Sequence, residues 1–240
     1  MSMTARVREG ARPLTNVLKL SDHPPLRRDQ AFERLKDAII TGHFAPGARL
    51  IERELCEAMG VSRTSIREVL RRLEAEQLIE VEPRRGPIVA RLSRKQVEEI
   101  YEVRALLEAA VVRRFALQAS AENIAELRRI YEKLSVVREQ VDVAAIVDTT
   151  RRFSEYMMDV VDHELINDIQ QKLIARISVA RVFAISVPGR LQQSAHELAA
   201  VMDAIERRDA DGAAQNLMIY VRNAGEAALR HLDATSSGDQ

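Results

Sequence analysis

Hydrophobic positions recur every three to four residues along most of this 240-residue chain, and this spacing predicts a mainly helical protein. Three helices are predicted early in the chain, at residues 26–40, at 50–59 and from Ser62 onward. Gly60 is placed to end the second helix in a left-handed turn, and Ser62 is placed to cap the third. The apolar residues of that third helix share one face: Ile66, Val69, Leu70 and Leu73.

Two short apolar segments follow the third helix, at residues 78–81 and 88–90, and both have the composition of β-strands. The Pro- and Gly-containing segment 82–87 joins them and predicts a tight turn. Three helices followed by a small hairpin indicate a winged helix-turn-helix.

The second half of the chain is helical in pattern almost throughout, with no stretch that alternates like a strand. Ser93 and Gln96 form a Ser-x-x-Gln capping box that starts its first helix. Helices are predicted at residues 94–118, 121–140, 143–161, 164–186, 190–207 and 210–232. The expected fold is therefore mainly α, with an N-terminal winged helix-turn-helix, a small β-hairpin wing and a C-terminal all-α bundle of about six helices.

The domain organisation follows from these patterns. We expect a flexible N-terminal tail at 1–25, a winged helix-turn-helix domain at 26–92, a helical domain at 93–232 and a disordered tail at 233–240.

Composition narrows the class of protein. Apolar residues make up 46% and charged residues 30%, which is typical of a globular chain, and no run reaches the roughly 18 apolar residues of a membrane span. No membrane partner is therefore expected. The single cysteine, Cys56, excludes an internal disulfide and favours a reducing cytoplasmic location. Net charge is zero, but residues 1–92 hold 17 Lys and Arg against 13 Asp and Glu, and the remainder holds 19 against 23. That asymmetry is compatible with a DNA-binding first half.

Basic and hydroxyl side chains gather at the start of the third helix. Arg63 and Arg67 lie four residues apart, so they project together and can reach guanine edges or phosphates. Gly86 lets the wing backbone approach a minor groove closely, with Arg84 beside it. A solvated arginine face on an ordinary helix is the alternative, and spacing alone does not decide between the two. The hydroxyl groups that suit phosphate oxygens are those of Ser62, Thr64 and Ser65.

Residues 26–92 resemble the winged-helix domain of the GntR family of bacterial transcription regulators. The resemblance is carried by Ile40-Thr41-Gly42, Pro46-Gly47-Ala48-Arg49-Leu50, Glu52-Arg53-Glu54-Leu55 and the whole stretch from Gly60 to Leu73. It implies that DNA is contacted by Arg53, Arg63, Thr64, Arg67 and Gly86. Two positions depart from the family pattern: Ser65 stands where proline is common, and Gln77 stands where glycine is usual.

Residues 94–232 resemble the ligand-sensing domain of the FadR subfamily, on the stretches from Glu99 to Glu108 and from Met202 to Asp209. The resemblance implies an all-helical FCD-type domain that binds an effector and forms a homodimer.

Arg104 lies on a helix face that is otherwise apolar, together with Val97, Ile100, Leu107 and Val111. A buried guanidinium needs a partner. Three interpretations stay open: an ion pair with Glu108 one turn away, a side chain that skirts the surface, or a clamp for an acidic effector.

Many domains of this subfamily bind a divalent metal through one Asp and three His, and the resemblance places those ligands at Thr150, Ser154, Leu198 and Tyr220. None of these side chains is a family ligand, so no metal or other cofactor is expected. Asp148 and His196 are each two residues away from a ligand position, which is about 200° around a helix. We expect the cavity to persist without metal, and the candidate effector-binding residues are Arg104, Thr150, Ser154 and Tyr220.

The sequence thus predicts a homodimeric DNA-binding regulator, and not an enzyme. Its expected partners are a double-stranded DNA operator and a small, anionic organic effector, and repression is the expected mode. One alternative is a helical domain that takes an acyl or apolar ligand, or none, and acts mainly in dimerisation; Phe153, Met157, Leu198 and Tyr220 would line such a cavity. A remote alternative is a helical enzyme fused to a DNA-binding head.

Overall fold

The computed structural model describes residues 27–140, 142–185 and 187–236. The predicted tail at 1–25 lies outside this range. The DNA-binding head consists of α1 (Arg27–Ile40), α2 (Glu52–Met59), α3 (Arg63–Ala75), β1 (Ile79–Glu82) and β2 (Gly86–Val89). The helical domain consists of α4 (Arg94–Gln118), α5 (Ala121–Glu139), α6 (Val143–Val161), α7 (Glu164–Ile185), α8 (Arg190–Glu206) and α9 (Ala210–Ser236).

The turn between α2 and α3 has the predicted caps. Gly60 is in the left-handed region at φ +64°, and its N–H donates to the carbonyl of Cys56. The Ser62 side chain accepts a hydrogen bond from the N–H of Ser65. The four apolar residues predicted to face a core, Ile66, Val69, Leu70 and Leu73, are all buried. The two helices are therefore held at a fixed angle by local chemistry and by one shared core.

The wing is a two-stranded antiparallel hairpin, and its strands are displaced from the predicted segments. Pairing runs from Ile79 opposite Val89 to Glu82 opposite Gly86, so the hairpin is tighter than predicted. Two left-handed residues, Arg84 at φ +70° and Gly86 at φ +82°, close the turn within three residues and bring Gly86 into the strand. Gln77 also has positive φ, at +59°, at the position where the family usually has glycine.

The bundle is organised around α4, which packs most extensively against α9 and also contacts α6, α7 and α8. Its capping box is present, because Gln96 Oε1 accepts from the backbone N–H of Ser93 at 2.8 Å. The last helix ends at Ser236, four residues beyond the predicted end at 232. The predicted disordered tail is therefore wrong for 233–236, because no Gly or Pro interrupts the chain before Gly238.

The head and the helical domain are in contact through α1 and α7. Ala175 of α7 is 5% exposed and belongs to the same core cluster as the apolar residues of the head, and α7 contacts α1. No helix in the described ranges is long and apolar enough to cross a membrane.

Gly225 of α9 is needed for the close approach of α9 to α4. A Cβ at this position would lie 2.8 Å from Cγ and 2.9 Å from Cβ of buried Tyr101. Gly225→Ala is expected to destabilise the fold by about 1–2 kcal/mol, because overpacking outweighs the gain in helix propensity. Urea unfolding monitored by circular dichroism measures the effect, and an unchanged midpoint would show that α9 can move away without cost.

Candidate DNA-binding surface and ligand cavity

A basic groove runs between the starts of α2 and α3 and the wing. A backbone connection fixes one of its walls: the N–H of Leu50 donates to the carbonyl of Pro87, and the N–H of Val89 donates to the carbonyl of Ala48, both at 2.9 Å. These bonds hold Arg49 beside the wing. The groove is lined by Arg49, Leu50, Ile51, Glu52, Arg53, Arg63, Arg85, Gly86 and Pro87.

The groove contains three of the residues predicted from the sequence, namely Arg53, Arg63 and Gly86. Arg49 was not among the predicted contacts. Arg85 of the wing lines the groove and pairs with Glu82 at 3.0 Å. The arginines thus converge from three separate segments on one surface, which suits the phosphates of a duplex.

The other predicted DNA contacts lie around the start of α3. Thr64 is exposed, and Ser65 is half-buried. Ser62 is exposed, but its hydroxyl oxygen is engaged by Ser65 through the N–H at 3.2 Å and the hydroxyl at 2.9 Å. Arg84 is exposed at the tip of the wing and is not among the groove residues.

Arg67 is oriented by an acidic residue of α2. Its Nε donates to the two carboxylate oxygens of Glu52 at 3.3 and 3.1 Å. The side chain of Arg67 remains 64% exposed, whereas that of Glu52 is 33% exposed. The pair therefore holds the guanidinium at the edge of the groove and leaves its outer face open.

A second candidate site is a cavity of about 50 Å³ inside the helical domain, which is room for a few water molecules or a small ligand. Side chains from five helices converge on it: α4, α5, α6, α8 and α9. The lining residues are Tyr101, Arg104, Arg138, Ile146, Thr150, Ser154, Arg190, Leu191, Ser194, Tyr220 and Ala224.

Arg104 is buried and forms the ion pair that was one of its three interpretations. Its Nε and Nη2 donate to Glu108 Oε1 at 3.0 and 2.7 Å, and Gln170 of α7 donates to the same oxygen at 2.6 Å. Burial acts to lower the pKa of Arg104, but the interactions with Glu108 and Tyr101 outweigh burial and raise it above its usual value. The charge of Arg104 is thus neutralised inside the protein.

Arg190 is neutralised in the same way. It is 4% exposed, its Nη1 lies 2.7 Å from Glu197 Oε2, and its Nη2 donates to the backbone carbonyl of Tyr220 at 3.3 Å. Asn223 donates to the other oxygen of Glu197 at 2.5 Å. This network leaves no net charge on the α8 side of the cavity.

Arg138 has no such carboxylate. It is 8% exposed, and its only hydrogen bond within the described ranges is a long one of 3.5 Å from Nη2 to the carbonyl of Ser194; Nε and Nη1 have no partner there. Burial lowers the pKa of Arg138 from its usual value, and the charge of Arg190 acts in the same direction. Guanidinium groups nevertheless stay protonated in proteins. The cavity therefore carries one positive charge that lacks a direct ion-pair partner.

The predicted effector residues are brought together at this cavity: Arg104, Thr150, Ser154 and Tyr220 all line it. Sequence reasoning missed Arg138 and Arg190. A signal for both exists, since Arg138 continues the buried stripe of Leu127 and Leu134, and Arg190 that of Ser194 and Leu198.

Most of the residues expected to line a cavity for an acyl or apolar ligand do not line this cavity. Phe153, Met157 and Leu198 are 1–2% exposed and belong to the close-packed core of the bundle. Tyr220 alone of that set faces the cavity.

The residues at the family's metal-ligand positions do not fit a divalent cation. Thr150, Ser154 and Tyr220 offer only hydroxyl groups, and Leu198 lies in the core. The guanidinium group of Arg138, which has no carboxylate partner in the described ranges, lines the same space and would repel a cation. His196 is exposed, and Asp148 pairs with Arg151 at 2.8 Å on the outside of α6, so neither supplies a ligand.

Each half of the chain matches a known protein family. Residues 27–89 match the family model described as bacterial regulatory proteins, gntR family, and residues 99–223 match the model of the FCD domain.

Individual relatives are regulators of transcription. An HTH-type transcriptional regulator from the TAR-I ttuE-ttuC' intergenic region of Agrobacterium vitis is 34% identical over 159 residues, which cover 65% of this chain and 93% of the relative. The galactonate operon transcriptional repressor of Escherichia coli is 28% identical over 81% of this chain and 93% of its own. The solved structure of E. coli McbR/YncC superposes with a TM-score of 0.72 and 25% identity, covering 82% of this chain and 93% of that one.

Proposed function

Because this chain belongs to the GntR family of bacterial regulatory proteins and carries an FCD domain, we propose that it is a homodimeric repressor whose affinity for its DNA operator changes when a small anion binds. It is a DNA-binding transcription regulator with a ligand-binding domain. The proposal concerns how it reads DNA, what it senses and how the two are connected. We place it in the cytoplasm, with no catalytic activity of its own.

The start of α3 enters the major groove of the operator in this proposal. Arg63 and Arg67 read base edges, and Arg53 with the exposed Thr64 holds the backbone phosphates. Gly86 brings the wing to the adjacent minor groove, where Arg84 and Arg85 follow the backbone. The N–H groups at the start of α3, together with Ser62 and Ser65, add phosphate contacts. Convergence of arginines from three segments on one groove supports this assignment.

The effector is an anion with a single negative charge, and Arg138 is the observation that carries this assignment. An unpaired buried charge is costly, and a bound carboxylate would supply the missing partner with matching geometry. The other two guanidinium groups are already paired with Glu108 and Glu197, so a second negative charge on the ligand would find no free partner. Thr150, Ser154 and Tyr220 offer hydroxyl groups to the rest of the ligand.

Metal is not needed in this mechanism, because the positive charge of Arg138 attracts the carboxylate of the ligand in place of a metal ion. One relative supports the ligand class: it is named for the operon of galactonate, which is itself a hydroxylated monocarboxylate. Arg104, proposed from the sequence as the clamp, then contributes the wall of the site and not its free charge.

Helix α7 connects the cavity to the head. At one point it touches the cavity wall, where Gln170 hydrogen-bonds Glu108, the partner of Arg104. Five residues later, Ala175 lies in the core of the head. A ligand that changes the position of α7 would therefore change the position of the head relative to its partner, and operator affinity would change by the ligand's preference for one arrangement.

Arg138→Met is the decisive test. In the absence of added anion, this variant is expected to be more stable than the parent by about 1–3 kcal/mol, because it removes a buried charge without a counter-ion. Formate, acetate, lactate and gluconate are to be added at constant ionic strength while the unfolding temperature is recorded. At least one should raise the unfolding temperature of the parent protein, and none should raise that of Arg138→Met.

Arg129→Met on the same helix is the matched control, because Arg129 is exposed and remote from the cavity. It should keep both the stability and the anion response of the parent. The assignment fails if Arg138→Met is less stable than the parent without anion, or if it keeps the anion response. Absence of any response in the parent would contradict the ligand class, as would a stronger response to malonate, a dianion.

A further inference from the structure

Ile51 is an apolar side chain at a position where polar residues are usual. It is the N-cap of α2, with φ −88° and ψ 110°, and its side chain makes no capping hydrogen bond. Four other helices in the described ranges begin behind a side chain that does accept such a bond. Those capping residues are Ser62, Ser93, Ser120 and Asp142. Ile51 therefore does not stabilise the start of its helix in the way that the other caps do.

The packing of the head does not account for Ile51 either. Its neighbour Leu50 is 2% exposed and lies in the core of the head, whereas Ile51 is 38% exposed. Among the residues that the structure describes, Ile51 belongs neither to that core nor to the partly buried apolar residues packed against it. A single exposed apolar residue is ordinary on a protein surface, so the place where it lies decides its meaning.

Ile51 lies in the groove that is proposed to bind DNA. It lines this groove together with the arginines, among them Arg63 at the start of α3. The hydrogen bond from the N–H of Leu50 to the carbonyl of Pro87, at 2.9 Å, ties the preceding residue to the wing and gives Ile51 a fixed place beside it. The surface thus presents an exposed aliphatic group among cationic side chains.

The bases of DNA offer one aliphatic group in the major groove, the C5-methyl group of thymine. The rest of the base edges present hydrogen-bond donors and acceptors, which the side chain of isoleucine cannot satisfy. Burial of one methyl group against another apolar surface raises affinity by roughly fourfold. Because only thymine carries this group, the gain discriminates between base pairs.

We infer that Ile51 is a specificity-determining residue that contacts the methyl group of one thymine in each half of the operator. The arginines of α3 read guanine, and the start of α2 adds a preference for thymine at a neighbouring base pair. The inference rests on the proposed placement of the start of α3 in the major groove. It extends base reading from α3 to a second element of the head.

The test removes the methyl group from the DNA and changes nothing else. In a duplex selected from a random pool by the parent protein, each thymine of one half-site is replaced by deoxyuridine together with its symmetry mate. Affinity is measured by fluorescence anisotropy. One such pair of replacements should weaken binding of the parent protein by ~15-fold, or ~4-fold for each half-site. Ile51→Ser should bind this uracil duplex and the thymine duplex with equal affinity.

Two further variants make the comparison specific. Ile51→Ser supplies the missing cap, so its unfolding temperature should stay close to that of the parent protein. Ile51→Val removes a single carbon and should show an intermediate preference for thymine, which keeps the inference testable if the serine variant does not fold. Val81→Ser is the matched control, because Val81 is 55% exposed in the same head and is not among the groove residues. It should lose as much affinity on the uracil duplex as the parent protein does.

The outcomes separate this inference from the proposed function. The thymine contact is overturned if no uracil position weakens the parent protein by more than ~2-fold, or if Ile51→Ser keeps the parent's loss. It is also overturned if Ile51→Ser weakens binding by the same factor on every duplex, which indicates a contact with the deoxyribose backbone. If the double alanine variant of Arg63 and Arg67 loses binding in any of these cases, the proposed function stands without Ile51. Unchanged binding by that double variant overturns both.

Discussion

Replacing Arg63 and Arg67 together by alanine is expected to weaken operator binding by at least ~100-fold while the fold stays intact. A bidentate arginine contact to guanine contributes about 1–3 kcal/mol, and each 1.4 kcal/mol corresponds to a factor of ten in affinity. Both arginines are exposed on α3, so their loss removes nothing from the core of the head. Base readout and phosphate attraction are lost at the same time.

The measurement is fluorescence anisotropy on a duplex selected from a random pool by the parent protein. Arg34→Ala is the control, because Arg34 is exposed on α1 and lies outside the groove. It should bind within a factor of about three of the parent, as expected for a surface substitution away from the interface. Equal affinities for the double variant and the parent would rule out α3 as the reading element.

Removal of the Glu108 carboxylate is expected to have the largest effect on stability. Glu108→Ala leaves the guanidinium of Arg104 buried without a counter-ion, and it also removes the acceptor of Gln170. Both side chains of the ion pair are 5–6% exposed, so solvent cannot replace the missing partner. The free energy of unfolding should fall by about 3–5 kcal/mol.

Urea unfolding by circular dichroism measures this loss. Lys95→Ala on the same helix is the control and should change stability by less than about 0.5 kcal/mol, since the Lys95 side chain is 82% exposed. Glu108→Gln keeps an acceptor oxygen but not the charge, so its loss in the free energy of unfolding should lie between those of Glu108→Ala and the control. A loss below about 1 kcal/mol for Glu108→Ala would mean that Arg104 finds another partner when its own is removed.

Most helix limits could be predicted from the sequence because local chemistry defines them. The capping serines Ser62 and Ser93 each accept a hydrogen bond from the residue three positions later, and Gly60 terminates α2. The wing was harder to predict, because its pairing depends on a left-handed turn at Arg84 that an arginine rarely adopts. Patterns of side chains do not reveal such a backbone conformation.

The composition of the cavity could be predicted only in part. Arg104 was identifiable, since it interrupts a long apolar stripe in the middle of a helix. Arg138 lies near the end of α5 and Arg190 at the start of α8, where charged residues usually contact solvent. Each continues a buried stripe of its helix, but its burial depends on the packing of separate helices, which the stripe alone does not specify.

The Glu52–Arg67 pair has a consequence for how operator binding responds to salt. An arginine that approaches DNA from water displaces the cations condensed on the phosphates, and this release makes affinity fall steeply with salt concentration. Arg67 is already paired with the carboxylate of Glu52 before DNA binds. A DNA phosphate that contacts Arg67 must therefore compete with Glu52, whose negative charge lies close to the duplex. The salt dependence of binding should therefore be shallower than the number of arginines at the interface suggests, and selectivity for base sequence should decline less as ionic strength rises.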